Sequence, residues 1–448
     1  MPPDDEVRRG PFMVREAGMR DRLRPPRAAV RAASPAMKSV EAVEALSIRS
    51  AVLVIAAVLI VGATILREVP ATAITAPARA TTSSAAGDTA VAFLNEMLRS
   101  GRGQLRFEGR SGYLRSVLDH LHVPVESQVV TFSQASLHGA RVTDSYPRAI
   151  FFNDNVAVAW APQSSSLELA AYSRQRGLVF YTLEQSQNAP RFEERRDCLA
   201  CHRSERTLGV PGLLVLSTSR NDGAAPIMTD HRTPLSDRWG GWYVTGVSRR
   251  WKHQGNRIGQ GWLTSLYDQF DTSGYPTLYS DIVALMVLEH QARASNLISR
   301  AQSLFHTDPS GRDVAIAIHE LTDYLLFADE APFPAAIVGT SGFAEWFSSR
   351  TPRGASGPSL YQLDLKRRLF RHPVSYTIYS DLFDALPQPV KDRVYTRLLA
   401  VLTAPGEGSV SYPEVSPAEK AATLDILVRT KPDFRDFVQQ RSANANPR

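Results

Sequence analysis

Both cysteines of this 448-residue chain fall in one five-residue stretch, Cys198-Leu199-Ala200-Cys201-His202. Two thiols at this spacing lie on one side of a helical turn, where both can form thioethers to the vinyl groups of a single porphyrin. The adjacent His then directs its imidazole at the iron, and imidazole is a standard axial ligand of haem iron. The stretch therefore reads as the attachment site of one covalent haem c, held by Cys198 and Cys201 and ligated by His202. A thioredoxin-like redox motif calls for a βαβ setting and has no use for the His. A structural zinc site calls for four ligands, normally including a second Cys or His pair. A disulfide between Cys198 and Cys201 would close a very small loop. That only one such motif is present argues against two-haem peroxidases and multihaem wires.

Haem of this type is attached outside the cytoplasm, and the N-terminal region fits export. The run Ala51–Leu66 carries no charge, comes after Arg49 and precedes Arg67-Glu68. Positive charge ahead of an apolar run keeps the N-terminus cytoplasmic and exports the downstream chain. The run reads as a membrane anchor or as the core of a signal peptide, with Ala-Thr-Ala (71–73) and Ala-Arg-Ala (78–80) as cleavage sites. The expected address is the periplasm or the outer face of the cytoplasmic membrane. The net charge is +6, and residues 1–49 alone hold ten Arg or Lys against seven acids. The rest is close to balanced, so no clustered basic face points to nucleic acid.

The chain divides by pattern into a basic leader (1–49), an apolar segment (50–66), an Ala/Thr/Pro/Ser-rich linker (67–88), a haem-bearing part (89–275) and a helical part (276–448). Two helical stretches are expected between Val91 and His122. The short runs 149–152, 156–160, 167–171 and 178–183, separated by turn residues, predict a β-meander. Leu213–Thr218 and Trp242–Gly246 predict two more strands. From Asp281 onward, apolar spacing near 3.6 predicts helices over 281–305, 313–329, 343–348, 360–370, 375–386, 390–402 and 417–429. The expected fold class is α+β: a β-rich part carrying the haem-binding peptide, then an α-helical C-terminal part. A minimal cytochrome c is far shorter and mostly helical.

Several blocks carry a family resemblance. They are 198–212 (Cys-x-x-Cys-His-x-x-x-x-Thr-Leu-Gly-Val-Pro-Gly), Thr-Asp-His-Arg-Thr-Pro (229–234), Arg-Trp-Gly-Gly-Trp-Tyr-Val-Thr-Gly (238–246) and His-x-Gly-Asn (253–256), with further blocks at 280–287, 323–332 and 341–344. Together they resemble bacterial exported single-haem cytochrome c domain proteins, a largely uncharacterised group, over most of residues 145–435. The resemblance implies haem binding and electron transfer, and no substrate. The His-x-Gly-Asn block often has Met in second place. Gln254 stands there in this chain, so a Met ligand at that point is excluded.

A sixth ligand to the iron is sought among His253, His231 and Met228, in that order, all in loops downstream of His202. Arg232 and Arg238 suit haem propionates, because guanidinium forks match carboxylates. Trp239, Trp242 and Tyr243 suit the walls of the macrocycle. His319-Glu320-Leu321-Thr322-Asp323 imitates the zinc-protease His-Glu-x-x-His, but the second His is missing. Glu289 and His290 are adjacent on a helix and point about 100° apart, so they form no shared site by themselves. The expected function is periplasmic electron transfer between redox donor and acceptor proteins, with a possible membrane tether. The alternative is a haem enzyme or haem-based sensor with an open iron. Whether the iron is closed by a second ligand separates the two.

Overall fold

The computed structural model describes residues 87–133, 142–162, 164–186, 189–218, 225–248, 250–258, 260–352, 354–404 and 415–445. The leader, the apolar segment and nearly all of the linker lie outside the described residues. Among the described residues, no helix is long and apolar enough to cross a membrane.

Two helices open the described chain, α1 (Ala90–Arg99) and α2 (Leu114–His120). A seven-stranded antiparallel sheet comes next: β1 (Val129–Thr131), β2 (Arg148–Phe152), β3 (Val156–Trp160), β4 (Ser166–Ser173), β5 (Gly177–Glu184) and β6 (Phe192–Glu194), closed by the later β9 (Trp242–Tyr243). The order across the sheet is β6-β5-β4-β3-β2-β1-β9, so the first six strands form a meander and β9 adds to the β1 edge. Local chemistry makes the hairpins. Asn153 Oδ1 accepts from the backbone N–H of Asn155 and Val156, each at 2.9 Å, turning the chain between β2 and β3. Ser173 Oγ accepts from Gln175 and Arg176, and Gly177 supplies the positive φ of +73° that starts β5.

Alternation along the strands gives the sheet two different faces. Leu167, Leu169 and Ala171 of β4, with Phe151, Val156, Val158 and Leu183, pack against α1 and α2 in one core. The opposite face carries Ile150, Phe152, Ala157, Ala170, Tyr172 and Phe180. Part of this face is covered by the helical half of the chain, so one hydrophobic core runs from Val129 and Phe152 into residues beyond 275.

That half is built on α4 (Ile282–Thr307), 26 residues long and buried on nearly every side of its first five turns. Around it stand α5 (Arg312–Leu325), α6 (Phe343–Ser348), α7 (Asp381–Asp384), α8 (Gln388–Thr403), α9 (Pro417–Thr430) and α10 (Pro432–Ala445). Asp281 caps α4, its Oδ1 accepting from Val283 and Ala284 and its Oδ2 from Thr340 and Ser341. Mixed α and β structure with a helical C-terminal part is the observed architecture, as expected.

The local expectations differ in places. Residues 360–370 are not helical: Asp364 Oδ1 accepts from Lys366 and Arg367, Leu365 takes φ +58°, and Leu363 pairs with Phe370. A short acceptor side chain has captured the amides that a helix needs. The helix expected over 375–386 divides at Ser380 into a 3-10 turn (Tyr376–Tyr379) and α7. Within Leu213–Thr218 only β7 (Leu216–Ser217) pairs, with β8 (Ile227–Met228). Strands β1 and β6 and helix α10 were not anticipated.

Two buried polar groups tie α4 to the segment 229–240. Arg238, 2% exposed, pairs with the fully buried Glu289 at 3.2 Å and donates to the carbonyls of His231 and Thr233. His231 Nδ1 and His290 Nδ1 lie 2.9 Å apart, and His290 Nε2 meets Ser375 Oγ at 2.6 Å. Burial pushes both imidazoles down, His231 to about 3. Their folded values thus lie below the unfolded value of about 6.5, so the stability they permit is full above about pH 6.5 and falls as pH drops. Two outcomes are expected in denaturant unfolding. Arg238→Met, which strands the Glu289 charge, loses about 3–5 kcal/mol, and much of this returns in Arg238→Met/Glu289→Leu. His290→Phe is less stable than wild type at pH 7, and the gap narrows at pH 5 because one acid-sensitive imidazole is gone.

Candidate haem site

β6 ends at Glu194, and the chain continues along the rim of β5, where Arg195 N–H donates to the Phe180 carbonyl at 2.8 Å. One helical turn, α3 (Leu199–His202), comes next with Cys198 at its N-cap. The turn brings Cys198, Cys201 and His202 to the mouth of one recess. Cys198 and Leu199 pack on Ala170, Leu178 and Phe180 of the sheet, and the His202 ring lies 4.6 Å from the Phe180 ring. Cys198 is half-buried and Cys201 exposed. Burial pushes the Cys198 thiol up, and the Asp197 and Glu168 carboxylates add to this.

His202 is held from both ends of its residue. Its carbonyl accepts from Gly212 N–H at 2.9 Å, and its Nδ1 lies 2.9 Å from the Gly212 carbonyl. Donation from Nδ1–H leaves the Nε2 lone pair for another partner, the state that an axial ligand requires. Burial pushes this imidazole down, which also favours the neutral ring. Gly212 is fixed in turn by α4. Asn296 Oδ1 accepts from Leu213 N–H at 3.1 Å, and its Nδ2 donates to the Leu213 carbonyl at 2.9 Å. Any Cβ on Gly212 would collide with the Asn296 amide.

The recess lies between this turn and the sheet. Ala157, Ala159 and Ala170 contribute short side chains there, and Ile150, Phe180 and Trp242 contribute large ones. Cross-strand register places Ala157 opposite Ala170, and Ala159 opposite Glu168. The floor is therefore hollowed over β3 and β4. Two charged pairs line the recess: Arg148 of β2 with Glu168 of β4 at 3.4 Å, and Arg195 with Asp197 at 2.6 Å in the segment before the turn. These residues fit a covalently held porphyrin: two thiols, a neutral imidazole with its second nitrogen already satisfied, and an apolar hollow beside them.

The other expected residues are placed elsewhere. Met228 lies in β8, paired with Leu216, and does not line the recess. His231 is buried among His290, Tyr324 and Phe327. His253 sits against Trp239 and Trp262, and Asn256 beside it is a structural turn residue that accepts from Val244 N–H. None of the three is brought to His202. Arg232 grips Asp230 with two nitrogens and lies over Tyr324, while Arg238 is spent on Glu289. Of the three aromatics, Trp242 lines the recess, with its indole N–H donating to the Leu216 carbonyl at 2.7 Å. Trp239 and Tyr243 are buried outside it. His319 pairs with Asp323 on α5, and Glu320 pairs with Arg293 and Arg300 of α4, so that stretch ties the two helices together. Among the described residues, no group of three or more His, Cys, Asp or Glu converges as a metal-ion site. No protein-family model, curated protein or solved structure matches this chain.

Sequence patterning alone does not single out Arg148, Glu168 or Asn296. A lone charged residue in each of two largely apolar strands is the only mark of the first two. Gly212→Ala should displace Asn296 and the His202 loop, lowering stability by about 1–3 kcal/mol in denaturant unfolding. Gly212→Ala/Asn296→Ala should cost less than the two single changes added together.

Proposed function

We propose that this chain is an exported monohaem c-type cytochrome, its haem bound through Cys198 and Cys201 with His202 as axial ligand. The observation that carries the reading is the convergence of both thiols and a backbone-anchored imidazole on one hollow of the sheet. The haem supplies redox chemistry and an iron centre able to take a further ligand. The chain positions His202 through Gly212, keeps its ring neutral, and offers a wall of short side chains. The uncharged run 51–66 supports export, and with it a periplasmic or membrane-facing address.

One observation bears on the choice between carrier and ligand-binding protein. Apart from His202, the described residues lining the recess include no His and no Met. These are the usual sixth ligands of electron-carrying haem. On these described residues we read the iron as open, in a haem enzyme or sensor, rather than as that of a six-coordinate electron carrier.

The haem is expected to survive acid–acetone extraction and to give a two-thioether pyridine haemochrome. Cys198→Ala and Cys201→Ala should each leave at most one thioether. Reduced wild type should bind carbon monoxide promptly, with a shift of its Soret band. Extraction of the haem from wild type would refute the covalent assignment, and indifference to carbon monoxide would refute the open iron.

A further inference from the structure

We infer that Arg148, set against Glu168, is the anion-binding group of the recess and holds a small anionic ligand of the iron; this rests on the open-iron reading above. Arg148 is 14% exposed, and Glu168 at 3.4 Å is its only ion-pair partner among the described residues. Its guanidinium makes no hydrogen bond to another described side chain or carbonyl. A guanidinium carries five N–H donors in a fixed fork. One carboxylate at that distance leaves most of them unused, inside a recess lined by alanines and large apolar groups together with Thr131, Ser133, Thr182, Arg195 and Asp197. Unused donors that face the recess can be taken up by an anion through charge-assisted hydrogen bonds.

The position of the pair argues for a ligand at the iron rather than for the haem's own propionates. Arg148 and Glu168 stand on β2 and β4, two central strands, and reach toward each other across Ala159 of β3. Because Ala159 is short, the pair faces the same hollow as Cys198, Cys201 and His202. Propionates sit at the edge of the macrocycle and favour the wetter rim. A guanidinium stands there as well: Arg195, 41% exposed, paired with Asp197. Glu168 has a definite part in this arrangement. It holds the guanidinium in place and competes with any incoming anion for its donors, so it tempers affinity while it orients the fork.

The test uses the full chain with its haem attached and two probes, azide on the oxidised protein and carbon monoxide on the reduced. Arg148→Leu should weaken azide by about tenfold to hundredfold, the size of one charge-assisted hydrogen bond. Carbon monoxide, which is neutral, should change by less than about threefold, and Arg148→Lys should fall between wild type and Arg148→Leu for azide. Glu168→Gln should tighten azide, because the competing charge is gone; a purely structural role for the pair predicts no gain. Equal azide affinity in wild type and Arg148→Leu overturns the assignment. So does a shift of midpoint potential with unchanged azide affinity, which would place Arg148 on a propionate. If Arg148→Leu loads no haem, Glu168→Gln decides: an azide affinity equal to or weaker than wild type overturns the proposal. Failure of wild type itself to bind either probe overturns the open-iron reading instead, and needs no variant to be recognised.

Discussion

The reciprocal hydrogen bonds between His202 and Gly212 are the joint on which the site depends. A four-residue turn has too few internal bonds to hold an imidazole in one orientation. Orientation here is borrowed from α4, whose Asn296 clamps the backbone of Leu213 with both ends of its amide. The helix is fixed in its turn. Asp281 caps it and ties it to Thr340 and Ser341, Asp281 N–H donates to the Gln128 carbonyl, and Ile282 N–H donates to the Thr245 carbonyl. Each bond is worth only about 1 kcal/mol. In series they connect the His202 ring to both the sheet and the helical core, so the segment 198–212 cannot shift without disturbing both.

The hollow beside that ring has its own cost. Alanine is a poor strand residue, and three of them, Ala157, Ala159 and Ala170, occupy adjacent central strands. The whole β-propensity scale spans only about 1 kcal/mol per residue. On the opposite face Val156, Val158, Leu167 and Leu169 are all but fully buried against α1 and α2. Burying a side chain of that kind yields roughly 1.5–3 kcal/mol. The strands are thus held by one face, which leaves the other free to be shaped for something other than packing.

Much of the architecture was legible because the deciding signals are local. Asn153 closes its own turn, strands alternate with period two, and the apolar stripe of α4 repeats near 3.6. Legibility failed where a single side chain outcompetes the pattern. Asp364 takes the amides of Lys366 and Arg367 and prevents a helix that the apolar spacing suggests. It failed also where the stripe is thin, since α10 rests on little more than Phe434 and Val438. At the site, the grouping of Cys198, Cys201 and His202 was legible because the three sit within five consecutive residues. The remainder was not, because closeness in sequence to His202 does not place a residue on its side of the fold. Arg148 and Glu168 precede the motif, and antiparallel register brings them to the hollow.

His231 and Arg238 serve the core because the segment 229–240 packs on α4, where burial sets the terms. A charge as deeply buried as Glu289 needs a partner, and Arg238 supplies it while also binding two carbonyls. His231 already has one ring nitrogen against His290 and its ring face 4.2 Å from Tyr324. Drawing it out to the recess would break the imidazole pair and leave His290 facing Ser375 alone, at about 1–3 kcal/mol for each buried polar group left unsatisfied. Iron ligation would have to exceed that cost and the repacking of Tyr324 and Phe327 as well. The polar interior around α4 is therefore committed to holding the helices, and the sheet face beside Cys198, Cys201 and His202 is where packing demands least.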